Sequence, residues 1–148
     1  MEISLTDMKR YVSVSRVIPA SATAIFDLLA NPYEHHRIDG SGTVVAPRGD
    51  APRRLYRGAK FSMDMKMGRS YFTVNTVVDF EENKTIAWCH WARLVWRYEL
   101  EEVEGGTKVT ESFDFRKPWA WPLVALHWAE KTEGNIAASL ERLEAAVA

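Results

Sequence analysis

The chain has 148 residues and a net charge of −1, with 47% apolar and 26% charged residues, the profile of one folded domain of ordinary size rather than a disordered segment. No Lys/Arg cluster is concentrated on a face, which argues against nucleic acid as a partner. One cysteine, Cys89, excludes an intrachain disulfide and fits a reducing cytoplasm. The first residues, Met1 to Val14, hold acidic side chains and no apolar run of leader length, and Trp119 to Ala129 is too short to span a bilayer. Six Trp, six Phe, five Tyr and five Met are large side chains that either fill a core or line an apolar site.

In chain order, Tyr11 to Ile18 alternates as a first strand and Pro19 ends it. Ser21 caps a short helix over Ala22 to Ala30, with Ile25, Phe26, Leu28 and Leu29 as its buried stripe. Pro32 starts a second short helix through Arg37, and Asp39-Gly40-Ser41-Gly42 turns into a strand over Thr43 to Ala46. Pro47 to Arg54 reads as a loop. Strands follow over Phe61 to Met67, Tyr71 to Phe80, Thr85 to Trp91, Val95 to Val103 and Thr107 to Phe115, the last two joined at Glu104-Gly105-Gly106. From about Pro122 to Val147 the apolar residues Leu126, Ala129, Ile136, Leu140, Leu143 and Val147 fall at helical spacing. The expected architecture is α+β: a curved antiparallel sheet of about seven strands wrapped around the long C-terminal helix, as a single domain over residues 1–148.

Strand parity selects an inner face. Arg97, Glu99 and Glu101 belong in water, so Trp96, Tyr98 and Leu100 face inward. Lys108, Thr110, Ser112 and Asp114 are the wet set of the next strand, which turns Val109, Glu111, Phe113 and Phe115 inward. Closing each hairpin by the shortest route gives the rows His90–Trp96–Phe115, Trp88–Tyr98–Phe113 and Ile86–Leu100–Glu111, with neighbours about 5 Å apart. Met63, Met65 and Met67, together with Phe72, Val74, Thr76 and Val78, extend the wall. Leu126 and Glu130 are placed on the ligand side of the C-terminal helix.

Three polar inner residues are candidates for chemistry. Glu111 stands where the pattern calls for an apolar side chain, so it either reaches water and a partner, or points into a pocket as a ligand anchor or acid/base. His90 is either a satisfied core histidine or an acid/base. Tyr98 is the third proton-handling candidate. His35, His36 and Asp39 do not share the one-face spacing of metal ligands, so no metal is expected. No cofactor motif, phosphate loop or nucleophile elbow is present, and Cys89 falls on the face opposite Trp88. Trp119, Trp121 and Trp128 either plug the open end of the sheet or form an apolar lip facing a membrane or partner.

Several segments also carry a resemblance. Val14 to Ser21 followed by Ala24-Ile25-Phe26-Asp27-Leu28-Leu29, then Asn31 to Gly42, Val77-Val78-Asp79-Phe80, Ile86-Ala87-Trp88, Trp96 to Leu100 and Gly105 to Thr110 resemble the START/birch-pollen-allergen (SRPBCC) superfamily, of the polyketide cyclase/dehydrase type. The resemblance implies a helix-grip fold, with the His35 to Gly42 stretch closing one end of a pocket. Proteins of that superfamily bind lipids, polyketides or other apolar molecules, and only some are enzymes. The expectation is a binder of a small hydrophobic ligand, with a cyclase or dehydratase activity through Glu111, His90 or Tyr98 as the alternative. A filled-core interaction module is the third reading, and the oligomeric state stays open.

Overall fold

The computed structural model describes residues 10–90 and 92–148. The reading of the first nine residues and the placement of Trp91 at a strand end therefore lie outside the described residues. Seven strands form one antiparallel sheet: β1 (Tyr11–Ile18), β2 (Val44–Arg48), β3 (Lys60–Met67), β4 (Arg69–Glu81), β5 (Thr85–Cys89), β6 (Val95–Val103) and β7 (Gly106–Asp114), ordered β1-β7-β6-β5-β4-β3-β2. Between β1 and β2 come α1 (Ala22–Leu29), a 3₁₀ turn (Pro32–Glu34) and α2 (His35–Ile38); after β7 come a 3₁₀ turn (Pro118–Ala120), α3 (Trp121–Ala125) and α4 (Trp128–Val147). This is the expected helix-grip arrangement.

Local chemistry sets the element ends. The Ser21 hydroxyl accepts from the Ala24 amide at 3.1 Å and starts α1. The Asn31 side chain accepts from the Tyr33 amide at 3.0 Å, with Pro32 opening the 3₁₀ turn. The strand at the edge continues through Pro47 and Arg48 rather than stopping at Ala46, because a proline on an edge strand removes no ladder bond. The C-terminal helix does not begin at Pro122. His127 adopts a left-handed backbone with φ 55° and separates α3 from α4. Leu126 falls in that break and is 61% exposed, so it does not face inward; Glu130, in the first turn of α4, is exposed as well.

The long helix lies along β1 and β7, where the Arg16 guanidinium meets Glu144 at 3.2 Å. It also holds α2: the Gly40 amide donates to the Ser139 hydroxyl at 2.7 Å. A Cβ on Gly40 would collide with the Asn135 carbonyl and the Ser139 backbone nitrogen, so only glycine permits this approach. The best-packed core sits where α1 meets the sheet. Ile18, Ile25, Phe26, Leu29, Ile86 and Leu140 are sealed from solvent, and the Phe26 and Phe80 rings meet edge to face at 5.3 Å.

Two register details differ from the shortest-route expectation. Val103 pairs with Gly106 around the two-residue turn Glu104–Gly105, and β5 ends at Cys89 with a five-residue connection to Val95. Each change slides the pairing by two residues, which keeps every side chain on its face but changes its neighbour. The rows are Val14–Glu111–Tyr98–Ile86 and Val12–Phe113–Trp96–Trp88–Val77. In β4 the parity itself differs. Thr73, Asn75 and Val77 pair with or beside the inward residues of β3, so Phe72, Val74 and Val78 point outward and are exposed. A bulge between Val77 and Asp79 then returns Phe80 to the inner face.

Candidate functional site

The inner face carries a buried acid opposed to a buried phenol. Glu111 on β7 and Tyr98 on β6 are direct partners in the ladder, which brings their side chains together on one face. The Tyr98 hydroxyl donates to the Glu111 carboxyl group. Glu111 is 3% exposed, and its Oε1 has no hydrogen-bond partner among the described residues. Burial pushes the Glu111 carboxyl up to about 8; the Tyr98 hydrogen bond opposes that shift and the negative charge of Asp39 adds to it. Burial, and then Glu111, raise the Tyr98 phenol well above its ordinary value. At neutral pH the carboxyl group therefore holds its proton for most of the time.

Aromatic rings surround this couple. Trp88 lies 5.8 Å from Tyr98 and 5.7 Å from Phe61 between ring centres. Trp96 stacks on Phe113 at 4.1 Å, and Phe113 on Phe115 at 5.2 Å. Met63 is buried beside them and Met65 is half-buried, while Met67 at the β3–β4 tip is 57% exposed.

His35 belongs to the same cluster, whereas the resemblance implies only that the His35 to Gly42 stretch closes one end of a pocket. It stacks on Trp88 at 4.9 Å and stands edge-on to Phe61 at 5.6 Å. Its Nε2 donates to the Leu29 carbonyl at 2.8 Å, and burial pulls its pKa down to about 4, so the ring is neutral. The available signal was its spacing: His35 and Ile38 are three apart on one helical turn and both are buried. Among the described residues no group of three His, Cys, Asp or Glu is placed to hold a metal ion.

His90 is not part of this site. It follows the end of β5, its Nδ1 accepts from the Ala92 amide at 3.3 Å, and burial lowers its pKa. Counting strand rises and spacings along the ladder, its backbone lies roughly 16 Å from that of Glu111. The two expected proton-handling groups therefore cannot serve one ligand atom. Phe72 and Val74 are also outside the site; the Arg48 guanidinium covers the outward Phe72 ring at 4.2 Å. Leu126 and Glu130 face solvent near the break before α4. A groove of ≈ 260 Å³ on the outer face is lined by Tyr11, Arg97, Glu99, Ser112, Asp114 and Arg116 among others. Its charged walls do not suit an apolar molecule.

The sequence profile of the family described as "Polyketide cyclase / dehydrase and lipid transport" matches residues 9–148. An uncharacterized protein of Mycobacterium tuberculosis is 38% identical over 108 residues, covering 70% of this chain and 47% of its own length. The chain thus spans about half the length of the curated relatives it matches. Among solved structures, a Nitrosomonas europaea protein superposes with a TM-score of 0.74 at 14% identity, covering 93% of this chain and 94% of its own. A Rhodobacter sphaeroides protein gives 0.71 at 16% identity, with 94% and 92% covered. A "Polyketide_cyc-like" protein of Corynebacterium glutamicum gives 0.59 at 20% identity, with 93% and 88% covered. At these identities the likeness speaks for the fold alone.

Proposed function

Because the chain belongs to the polyketide cyclase/dehydrase and lipid transport family, we propose that it binds a small hydrophobic, lipid- or polyketide-like molecule between the inner face of the sheet and helices α2 and α4. The observation that carries this reading is the Tyr98–Glu111 couple set in an aromatic wall, with Glu111 Oε1 buried and unpartnered among the described residues. A buried polar atom without a partner is costly in a filled core, and a ligand oxygen or hydroxyl would satisfy it. The rings of His35, Trp88 and Phe61 touch one another, so admission of a ligand parts this stack. Met63, Trp88, Trp96, Tyr98, Glu111 and Phe113 are the proposed contacts, with Met65 and Met67 on the path inward.

A second reading rests on Glu111 itself. A carboxyl group with a pKa of about 8 is tuned for proton transfer at neutral pH, as cyclase or dehydratase chemistry requires. Native mass spectrometry of the freshly purified protein, followed by thermal shifts against fatty acids, sterols and aromatic polyketides, tests both. A retained or stabilising ligand is expected, and Glu111→Gln should weaken its binding. Turnover abolished in Glu111→Gln with binding retained would favour the enzyme. No bound mass and no shift with any class would refute the pocket and leave a filled-core interaction module.

A further inference from the structure

The two ends of the sheet differ in surface chemistry as well as in packing. At the α1 end, the hairpins between β4 and β5 and between β6 and β7 expose Glu81, Glu82, Glu101, Glu102 and Glu104, but cations answer several of them: Lys84 pairs with Glu81, Arg54 with Glu82, and Lys108 stands opposite Glu101 in the ladder. At the opposite end the β3–β4 tip runs past Cys89, the last residue of β5. The chain leaves β7 at Asp114 on that same end and forms α3 there. The Trp119 indole nitrogen fixes this segment by donating to the Ala92 carbonyl at 2.8 Å.

This second end is apolar and cationic. Trp121 is 64% exposed, and Trp119, Leu126, Met67 and Tyr71 also present large apolar surfaces to solvent. Leu123 and Val124 turn the other side of α3 toward the core. The apolar residues are therefore a supported lip rather than an unravelled segment. The same end of the sheet carries Lys66 and Arg69 on the β3–β4 tip and Arg93, Lys117 and Lys131 in the segments next to α3 in sequence or contact, none of which has an ion pair among the described residues. The Lys117 ammonium lies 5.9 Å from the centre of the Trp119 ring and that of Lys131 5.9 Å from Trp128. Glu130 and Glu133 are the exposed acids on the first turns of α4, and Arg116 is paired with Asp114.

Exposed tryptophans flanked by cations match the headgroup layer of a bilayer, where amphipathic rings and ammonium groups both find partners. At the far end the charges largely pair with one another, whereas the cations at the α3 end have no ion pair among the described residues, so an anionic surface attracts the α3 end first. We propose that the α3 end, with Trp119, Trp121 and Leu126 at its tip, docks onto anionic phospholipid membranes. This interaction does not require that the interior hold a ligand.

Co-sedimentation with vesicles of phosphatidylcholine alone and of phosphatidylcholine mixed with phosphatidylglycerol tests the proposal. Binding to the mixed vesicles is expected, with a blue shift of tryptophan emission and weakening in high salt. The Trp121→Ala/Leu126→Ala double variant should lower partitioning at least tenfold, and Lys117→Glu or Lys131→Glu roughly fivefold per neutralised lysine, with further loss from the reversed sign. These side chains are exposed, so circular dichroism melts of the variants should match the parent. No partitioning into either vesicle would overturn the proposal, as would binding that ignores all these substitutions. A concentration-dependent dimer in light scattering that the double variant abolishes, without vesicle binding, would assign the face to a second copy instead.

Discussion

The α1 end and the α3 end of the sheet use the same residue types to opposite purpose. At the α1 end, Phe26, Ile25 and Leu29 are sealed against Phe80 and Ile86, and the Arg54 guanidinium ties Asp27 to Glu82 across the outside. At the α3 end, Trp119, Trp121 and Leu126 stand in solvent and Met67 caps an overhanging hairpin. Apolar content therefore does not separate structural from functional regions in this chain. What separates them is whether an element crosses over the apolar side chains: α1 covers its end, and nothing among the described residues covers the tip of α3.

Stability measurements should divide along this line. Phe26→Ala is expected to cost about 3–5 kcal/mol in chemical denaturation, because the sealed site cannot collapse onto the void. Gly40→Ala should cost about 1–3 kcal/mol, since the added methyl group forces α2 off α4. Trp121→Ala should stay within about 0.5 kcal/mol of the parent. A loss at Trp121 comparable to that at Phe26 would break the comparison and make the α3 tip part of the core.

Between the two ends, the buried ionisable groups should show in the pH dependence of stability. Glu111 has a folded pKa raised from 4.5 to about 8, so its contribution is full below pH 4.5 and is lost as pH rises toward 8. His35 has a folded pKa lowered from 6.5 to about 4, so its contribution is full above pH 6.5 and is lost as pH falls toward 4. Between pH 4.5 and 6.5 the two slopes oppose each other, and from 6.5 to 8 only that of Glu111 remains. At its limit each slope is about 1.4 kcal/mol per pH unit. Glu111→Gln should flatten the decline above pH 6.5 in urea denaturation series, whereas an unchanged decline would place Glu111 in contact with water.

How much of this was legible in the sequence depended on the kind of signal. The faces of β6 and β7 follow from alternating charge, so Tyr98, Glu111 and Phe113 were turned inward from the pattern alone. Which of them touch did not follow, because the length of the Glu104–Gly105 turn slides the pairing without changing any face. The β4 error has a different origin. Phe72, Val74 and Val78 form an apolar alternation of their own, yet the bulge between Val77 and Asp79 and the Arg48 cover on Phe72 let that set face outward. His35 carries only a weak signal, because a four-residue helix shows its buried face through a single pair, His35 and Ile38, three apart. The break at His127 was hidden because a left-handed histidine has no sequence signature of its own.

The central claim, that the aromatic interior takes up an apolar ligand, is tested most directly by the methionine methyl resonances of the protein with and without a hydrophobic ligand from the thermal-shift series. Met63 is buried at 3% exposure in the wall and Met67 stands at the exposed tip, so the two report on the interior and on the β3–β4 tip separately. Ligand bound inside should shift the Met63 methyl signal strongly and that of Met67 little. A shift confined to Met67, with Met63 unmoved at saturation, would contradict an internal site.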